Sequence, residues 1–170
     1  MQRVVGPVGC ILFLAGLSLP AESADDAPVG AGGRPAMLAL IVDDIGYNLE
    51  RGRRAIALPG PIAVAVLPFA PHSTRLALAA DAASADVLLH EPMQAMDAIA
   101  EPGMLTANMS DAALRDTFER ALADVPNAVG VNNHTGSLLT SLRGPMRALM
   151  QALHEHGLFF VDSRTTPATV

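Results

Sequence analysis

MLALIVDDIGYN, residues Met37 to Asn48, is an apolar run that breaks into two adjacent aspartates, an isoleucine and a glycine. Six of the seven residues Met37–Asp43 are apolar, too few for a membrane span and without alternation, the pattern of a parallel-sheet strand covered on both faces. Asp43 and Asp44 then stand at its carboxyl edge. There α/β folds collect ligands and catalytic groups, because the loops vary while the strands hold their bases. Neighbouring carboxylates repel, which suits the pair either to a metal ligand beside a base or to an acid/base couple. The alternative is structural, with one Asp capping the next helix and the other solvated. Taken alone the motif favours that plainer reading; the rest of the chain reverses it.

Outward from this stretch, helix-like and strand-like segments alternate. Asn48–Leu58 is helix-compatible and stops at Pro59-Gly60-Pro61. Ile62–Leu67 is a second strand, ended by Pro68-Phe69-Ala70-Pro71. Ser73 is the expected cap of a helix with Leu76, Ala79, Ala80 and Ala83 on one face, ending near Ser84. Asp86–His90 is a third strand, closed by Glu91-Pro92-Met93. Residues 93–109 form a long connection of the kind that borders a site, with Met93, Met96, Met104 and Met109 read as gap-fillers in the packing. Ser110 caps the next helix, with Leu114, Phe118, Ala121, Leu122 and Val125 inward and Pro126-Asn127 as its stop. Ala128–Asn132 is the fourth strand. Gly144-Pro145 opens a helix with Met146, Leu149, Met150 and Leu153 inward and Gly157 as its stop, and Leu158–Val161 is the fifth strand. The alternation predicts an α/β fold with a parallel sheet and right-handed crossovers.

Strands in such a sheet or barrel all point one way, so the residues at their carboxyl ends share a rim: Asp43 and Asp44, His90, Asn133 and His134, and Asp162 with Arg164. One carboxylate and two imidazoles give three protein ligands with an open position, as a catalytic divalent-metal site requires and as zinc accepts. The second carboxylate can take a proton from water. Singly, His90 reads equally as a polar residue under the Pro92 turn, and His134 as one that orders its own loop; together with the Asp pair they favour a site. His154 and His156 fall at a helix C-terminus, where the dipole explains them, and His72 is read as a solvated turn residue.

Four blocks, Ile41-Val42-Asp43-Asp44-Ile45-Gly46, Leu88-Leu89-His90-Glu91-Pro92-Met93, Gly130-Val131-Asn132-Asn133-His134-Thr135-Gly136-Ser137 and Phe159-Phe160-Val161-Asp162-Ser163-Arg164-Thr165-Thr166, resemble in order and spacing the divergent polysaccharide deacetylase family, over essentially all of residues 37–170. The resemblance implies a distorted parallel (β/α) barrel of the glycoside hydrolase/deacetylase type, an exported protein, and a metal-dependent carbohydrate N-deacetylase as the ancestral activity. Carried over position by position, it makes Asp44 a metal ligand with His90 and His134, Asp43 the base, and Asp162 and Arg164 catalytic residues lining the rim. It further implies a divalent metal, zinc first, and a polysaccharide or peptidoglycan-type glycan as partner. Glu91, Gln94 and Ala95 depart from the family's more usual His-apolar-Pro-Met-Glu-Pro run. Members of the family continue through further strands and a late Gly-His-Pro segment. The expectation is therefore a C-terminally truncated, incomplete barrel of about five βα units, its last strand an exposed edge open to association.

Composition narrows the alternatives. A chain of 170 residues, 51% hydrophobic, suits one domain with a sizeable core. Net charge is −6 with pI near 5.2, and all 11 basic residues are arginines, scattered except for Arg51, Arg53 and Arg54. That is no nucleic-acid footprint, and the short cluster reads as a solvated helix face. Arg3, the apolar run Val8–Leu19, Pro20 and Ala21-Glu22-Ser23-Ala24 read as a secretory signal peptide over residues 1–24, cut after Ser23 or Ala24. Its apolar core is shorter than the roughly 20 residues of a spanning helix, so no stable membrane span is expected after cleavage; an uncleaved anchor is the alternative. Residues 25–36, rich in Gly, Pro and Ala, read as a flexible linker, and residues 37–170 as the deacetylase-like domain. Cys10 falls within the signal, so the mature chain offers neither disulfide nor thiol chemistry.

Two functions from different classes follow. One is an exported, periplasmic or secreted hydrolase that removes N-acetyl groups from an envelope polysaccharide with a metal-activated water. The other is a non-catalytic envelope protein that keeps the deacetylase fold for glycan binding or assembly.

Overall fold

Apolar runs that stop at Gly, Pro or Asp become strands, and capped amphipathic runs become helices. The computed structural model describes residues 36–97 and 99–170; the expected signal peptide, and all of the expected linker but Ala36, lie outside the described residues. Strands β1 (Leu40–Ile45), β2 (Ile62–Val66), β3 (Asp86–Met93), β4 (Ala128–Thr135) and β5 (Phe159–Val161) pair in parallel in the order β1-β2-β3-β4-β5. Helices α1 (Leu49–Ile56), α2 (Ser73–Ala82), α3 (Asp111–Asp124) and α4 (Arg143–His156) fill the crossovers. Strand order never reverses, so right-handed crossovers place every helix on one face. The result is the α/β fold expected, part of a parallel (β/α) barrel.

The two sheet faces differ accordingly. Val64, Val66, Val87, Leu89 and Val131 point to the helices and are essentially fully buried, packed with Leu76, Phe118, Leu149 and Leu153. The alternate residues face the other way, where Ile41, Ala63, Leu88, Phe159 and Val161 line an open cavity of about 390 Å³. Gly130 lies on this face because the Phe159 ring covers it: a Cβ there would come within 2.4 Å of a ring carbon.

Asn48 caps α1, its Oδ1 accepting from the Arg51 N–H at 2.9 Å, and Ser110 caps α3 as expected, its Oγ accepting from the Ala113 N–H at 3.2 Å. Gly157, with φ 69°, ends α4 in the left-handed conformation that glycine adopts without cost.

Several details depart from the sequence reading. β1 begins at Leu40, and as an edge strand it is not covered on both faces, because Met37 and Leu38 have nothing to pack against and Leu40 is half exposed. Ser73 is the first residue of α2 rather than its cap. Its hydroxyl instead accepts from the Ala70 N–H and donates to the Leu67 carbonyl, and the buried face is Ser73, Leu76, Ala77 and Ala80, with Ala79 exposed. β3 runs on through Pro92 to Met93. Beyond Leu89 it has no β2 partner, so the missing proline N–H costs no ladder bond there. β4 likewise continues to Thr135, and a short 3₁₀ turn, Leu139–Ser141, precedes α4. Met93 and Met104 do fill the interior, whereas Met96 is exposed.

Candidate metal centre

Regular strand geometry would part Asp43 and Asp44 to opposite faces. The ladder between β1 and β2 instead breaks between Val42 and Ile45, and Asp44 takes a left-handed backbone with φ 60°. An irregularity of this kind bends a strand and re-aims a side chain, and Asp is among the few residues that tolerate it. Both carboxylates therefore turn to one rim. Asp43 Oδ1 accepts from Asn132 Nδ2 at 2.9 Å. β2 stops at Val66, and Asp44 reaches past it, its Oδ1 lying 3.2 Å from His90 Nε2 and 3.1 Å from His134 Nδ1.

His90 and His134 project from β3 and β4, with His90 Nε2 and His134 Nδ1 3.3 Å apart and the rings edge-on. Asp44, His90 and His134 thus form a triangle of ligand atoms 3.1–3.3 Å on each side. A tetrahedral ion with bonds of about 2.0–2.1 Å needs ligand–ligand edges of about 3.3–3.4 Å. The triangle is close in size to one face of such a tetrahedron, so these three residues would hold the ion. The donors also suit the ion: burial lowers the His90 pKa, only partly opposed by the Asp43 carboxylate and the Asn132 hydrogen bond, which keeps the ring in the neutral form that coordinates a metal.

Around the triangle, Asn132 Oδ1 meets His90 Nδ1 at 3.0 Å and its Nδ2 also donates to Ser163 Oγ at 3.1 Å. Asn133 Oδ1 accepts from the Ser163 N–H at 2.8 Å. Glu101 Oε2, from the 94–109 connection, lies 3.4 Å from His134 Nε2. Thr135, next after His134, is also left-handed, φ 58°, and its hydroxyl donates to the Met93 carbonyl at 2.6 Å. Unusual backbone thus flanks two of the three ligand positions, as at other sites where geometry is held against local preference.

Of the residues expected on the rim, the structure brings Asp43, Asp44, His90 and His134 together, and Asp162 and Arg164 do not join them. Asp162 lines a separate cavity of about 630 Å³ with Arg143, Arg147, Met146 and Phe160, its Oδ1 buried without a hydrogen-bond partner. Arg164 is exposed, and Ser163 between them makes the contacts to the rim. Asn132, Ser163 and Glu101 were not singled out from sequence. The doubled asparagine before His134 was the available signal for Asn132; nothing in the loop sequence marked Glu101. His156 pairs with Glu119 at 2.8 Å, at the C-terminus of α4 and apart from the centre. On the helix side of β3, Glu91 is fully buried with neither carboxyl oxygen partnered, and burial pushes its carboxyl well above the usual range.

Sheet and rim together define an α/β protein of the polysaccharide deacetylase type. The chain belongs to the divergent polysaccharide deacetylase family, whose pattern matches residues 40–170. It is 40% identical over 134 residues to an uncharacterized protein of Haemophilus influenzae, covering 78% of this chain and 48% of the relative. It is 38% identical over 150 residues to the uncharacterized protein YibQ of Escherichia coli, covering 88% of this chain and 46% of the relative. The chain therefore spans about half the length of these curated relatives. Its fold is similar to that of the crystal structure of uncharacterized protein ATU2773 from Agrobacterium tumefaciens, with TM-score 0.75 at 21% identity, over 82% of this chain and 58% of the other. Among the described residues no helix is long and apolar enough to cross a membrane.

Proposed function

We propose that this chain carries the catalytic rim of an exported, metal-dependent carbohydrate N-deacetylase-like hydrolase acting on an envelope polysaccharide. One observation carries the reading: Asp44 Oδ1, His90 Nε2 and His134 Nδ1 converge to within 3.1–3.3 Å of one another, close to the spacing that three ligands of one small divalent cation adopt. Family membership supports the polysaccharide, the apolar run Val8–Leu19 followed by Ala21 and Ser23 supports export, and the mixed oxygen and nitrogen donor set supports zinc. A divalent cation, when bound, supplies the charge that polarises a carbonyl and eases loss of a proton from water. Asp44, His90 and His134 hold it from one side. Asp43, steadied by Asn132, accepts the proton of the attacking water. Arg164, exposed beside Ser163, meets the polar groups of the glycan, while Asp162 lies too far round β5 to take a direct part.

The second reading, a non-catalytic envelope protein that keeps the fold for glycan binding or assembly, is favoured by the placement of Asp162, which lines a separate cavity rather than the rim. Elemental analysis of the purified exported protein, followed by acetate release from an acetylated amino-sugar oligomer, separates the readings. One equivalent of zinc with acetate release supports the hydrolase, zinc without acetate supports the binding protein, and absence of zinc from both fresh and reconstituted protein sinks the centre.

A further inference from the structure

We propose that Asn132 and Glu101 are positioning residues that set His90 and His134 in opposite tautomers, so that His90 offers Nε2 and His134 offers Nδ1 to the same point. The purpose of this arrangement rests on the metal-centre reading above; its geometry does not.

Asn132 has one feasible orientation. Its side chain is buried, with residue exposure of 1%, and one end of the amide lies 2.9 Å from Asp43 Oδ1 and 3.1 Å from Ser163 Oγ. An ionised carboxylate only accepts hydrogen bonds, so that end is the NH₂, its two protons directed to the carboxylate and the hydroxyl. Ser163 is itself fixed, since its backbone N–H donates to Asn133 Oδ1 at 2.8 Å. The carbonyl end of Asn132 is left facing His90 Nδ1 at 3.0 Å. A carbonyl cannot donate, so the imidazole proton sits on Nδ1 and Nε2 keeps its lone pair. One buried amide thereby orients a ligand, His90, and the candidate base, Asp43.

His134 is arranged the other way round. Its Nε2 faces the Glu101 carboxylate at 3.4 Å, while its Nδ1 lies 3.1 Å from Asp44 Oδ1 and 3.3 Å from His90 Nε2; with a cation on that side, Nδ1 is the bare nitrogen and the proton is left on Nε2 toward Glu101. Glu101 belongs to a connection, yet that connection is tied to the end of β3 and to the 3₁₀ turn that follows β4. The Leu105 N–H donates to the Pro92 carbonyl at 2.8 Å, the Gln94 N–H to the Leu105 carbonyl at 2.9 Å, and the Leu139 N–H to the Gln94 carbonyl at 3.0 Å. Carboxylates and amides placed behind metal-binding imidazoles fix ring orientation and raise basicity, and their loss typically weakens metal binding about 10–100-fold. Here the two supports are chemically unlike, a buried neutral amide for one ring and a partly exposed anion for the other.

Imidazole-selective ¹⁵N NMR of the full chain, metal-free and zinc-loaded, at about pH 9 and so above the ordinary imidazole range, reads the tautomers directly, and a zinc competition titration reads the consequence. The expected wild-type spectra have the His90 proton on Nδ1 in both states and the His134 proton on Nε2 in the zinc-loaded state. Glu101→Ala is expected to leave His90 unchanged and weaken zinc binding about 10–100-fold. Glu101→Gln, which keeps an acceptor, restores most of the zinc affinity. Asn132→Asp keeps the acceptor for His90 while removing the donor to Asp43, so His90 retains its tautomer; should this variant fail to fold, the wild-type spectrum still decides. A metal-free His90 protonated on Nε2, a zinc-loaded His134 protonated on Nδ1, or a Glu101→Ala protein with zinc affinity intact overturns the proposal. Wild-type protein with His90 protonated on Nδ1 that takes up no zinc supports the Asn132 role and sinks the metal reading, which keeps the two failures apart.

Discussion

Asp43 and Asp44 are chain neighbours to which the proposed centre gives separable tasks. Asp44→Asn is expected to weaken zinc binding by roughly tenfold or more, because a neutral amide is a poor partner for a divalent cation. Asp43→Asn should leave the metal in place and lower turnover about 10²–10⁴-fold, the usual worth of a general base. Metal content measured beside acetate release distinguishes them, and the opposite pattern would exchange their roles. Glu91 poses a different question, because both its oxygens are buried and unpartnered. Burial raises its folded-state pKa, so the fold retains a proton that the unfolded chain releases above about pH 4.3. Its contribution to stability is therefore most favourable below that value and declines as pH climbs toward the raised folded value. Glu91→Met, similar in length and apolar, is expected to stabilise the protein at pH 7 by about 1–3 kcal/mol and to flatten the pH dependence. Urea unfolding at pH 4.5 and 7.5 checks this, and identical slopes for both proteins would mean that Glu91 finds a partner in solution. His90 and His134 could be read from sequence because each closes an apolar run. Asn132 could be read only as the end of a strand, since its role depends on cross-strand register with residues far along the chain.

Elements were legible where a local signal fixed them: the Ser110 cap, the Gly157 stop, and the inward faces of α3 and α4. Those signals act within a turn or two and need no tertiary context. The break in β1 was not legible, because nothing in Asp-Asp-Ile-Gly says which residue leaves the ladder; that is settled by β2 ending at Val66 and by the close packing that follows. Gly46 lies at the centre of that packing, with φ 148° and room for a Cβ only 2.8 Å from Ala70 Cβ. Gly46→Ala is therefore expected to cost about 1–3 kcal/mol of stability and to weaken zinc binding by displacing Asp44. Thermal unfolding and zinc titration of the same variant test both statements. An unchanged zinc affinity in a destabilised protein would show that the turn and the carboxylate are independent.

Across the molecule, helices cover one sheet face and leave Ile41, Leu88, Phe159 and Val161 around an open cavity on the other. Among the described strands β1 and β5 are edges, and Leu40 and Phe159 are half exposed. Unpaired edges beside apolar surface favour association. Purified protein is accordingly expected to associate with rising concentration in sedimentation velocity and to bind an apolar dye, whereas a dye-silent monomer throughout would count against an open face. Parallel strand direction could be read from the alternation alone; how far the inner face lies open could not, because that depends on side chains such as Phe159 folding back over Gly130. The rim itself is graded, with side-chain exposure of 65% at Asp44, 23% at His134 and 3% at His90. In the metal centre proposed above, an arriving cation would meet the carboxylate first and the deepest imidazole last. The same gradient would leave the carboxylate as the last contact a departing cation releases, so that exchange would run as a stepwise ladder rather than in one event.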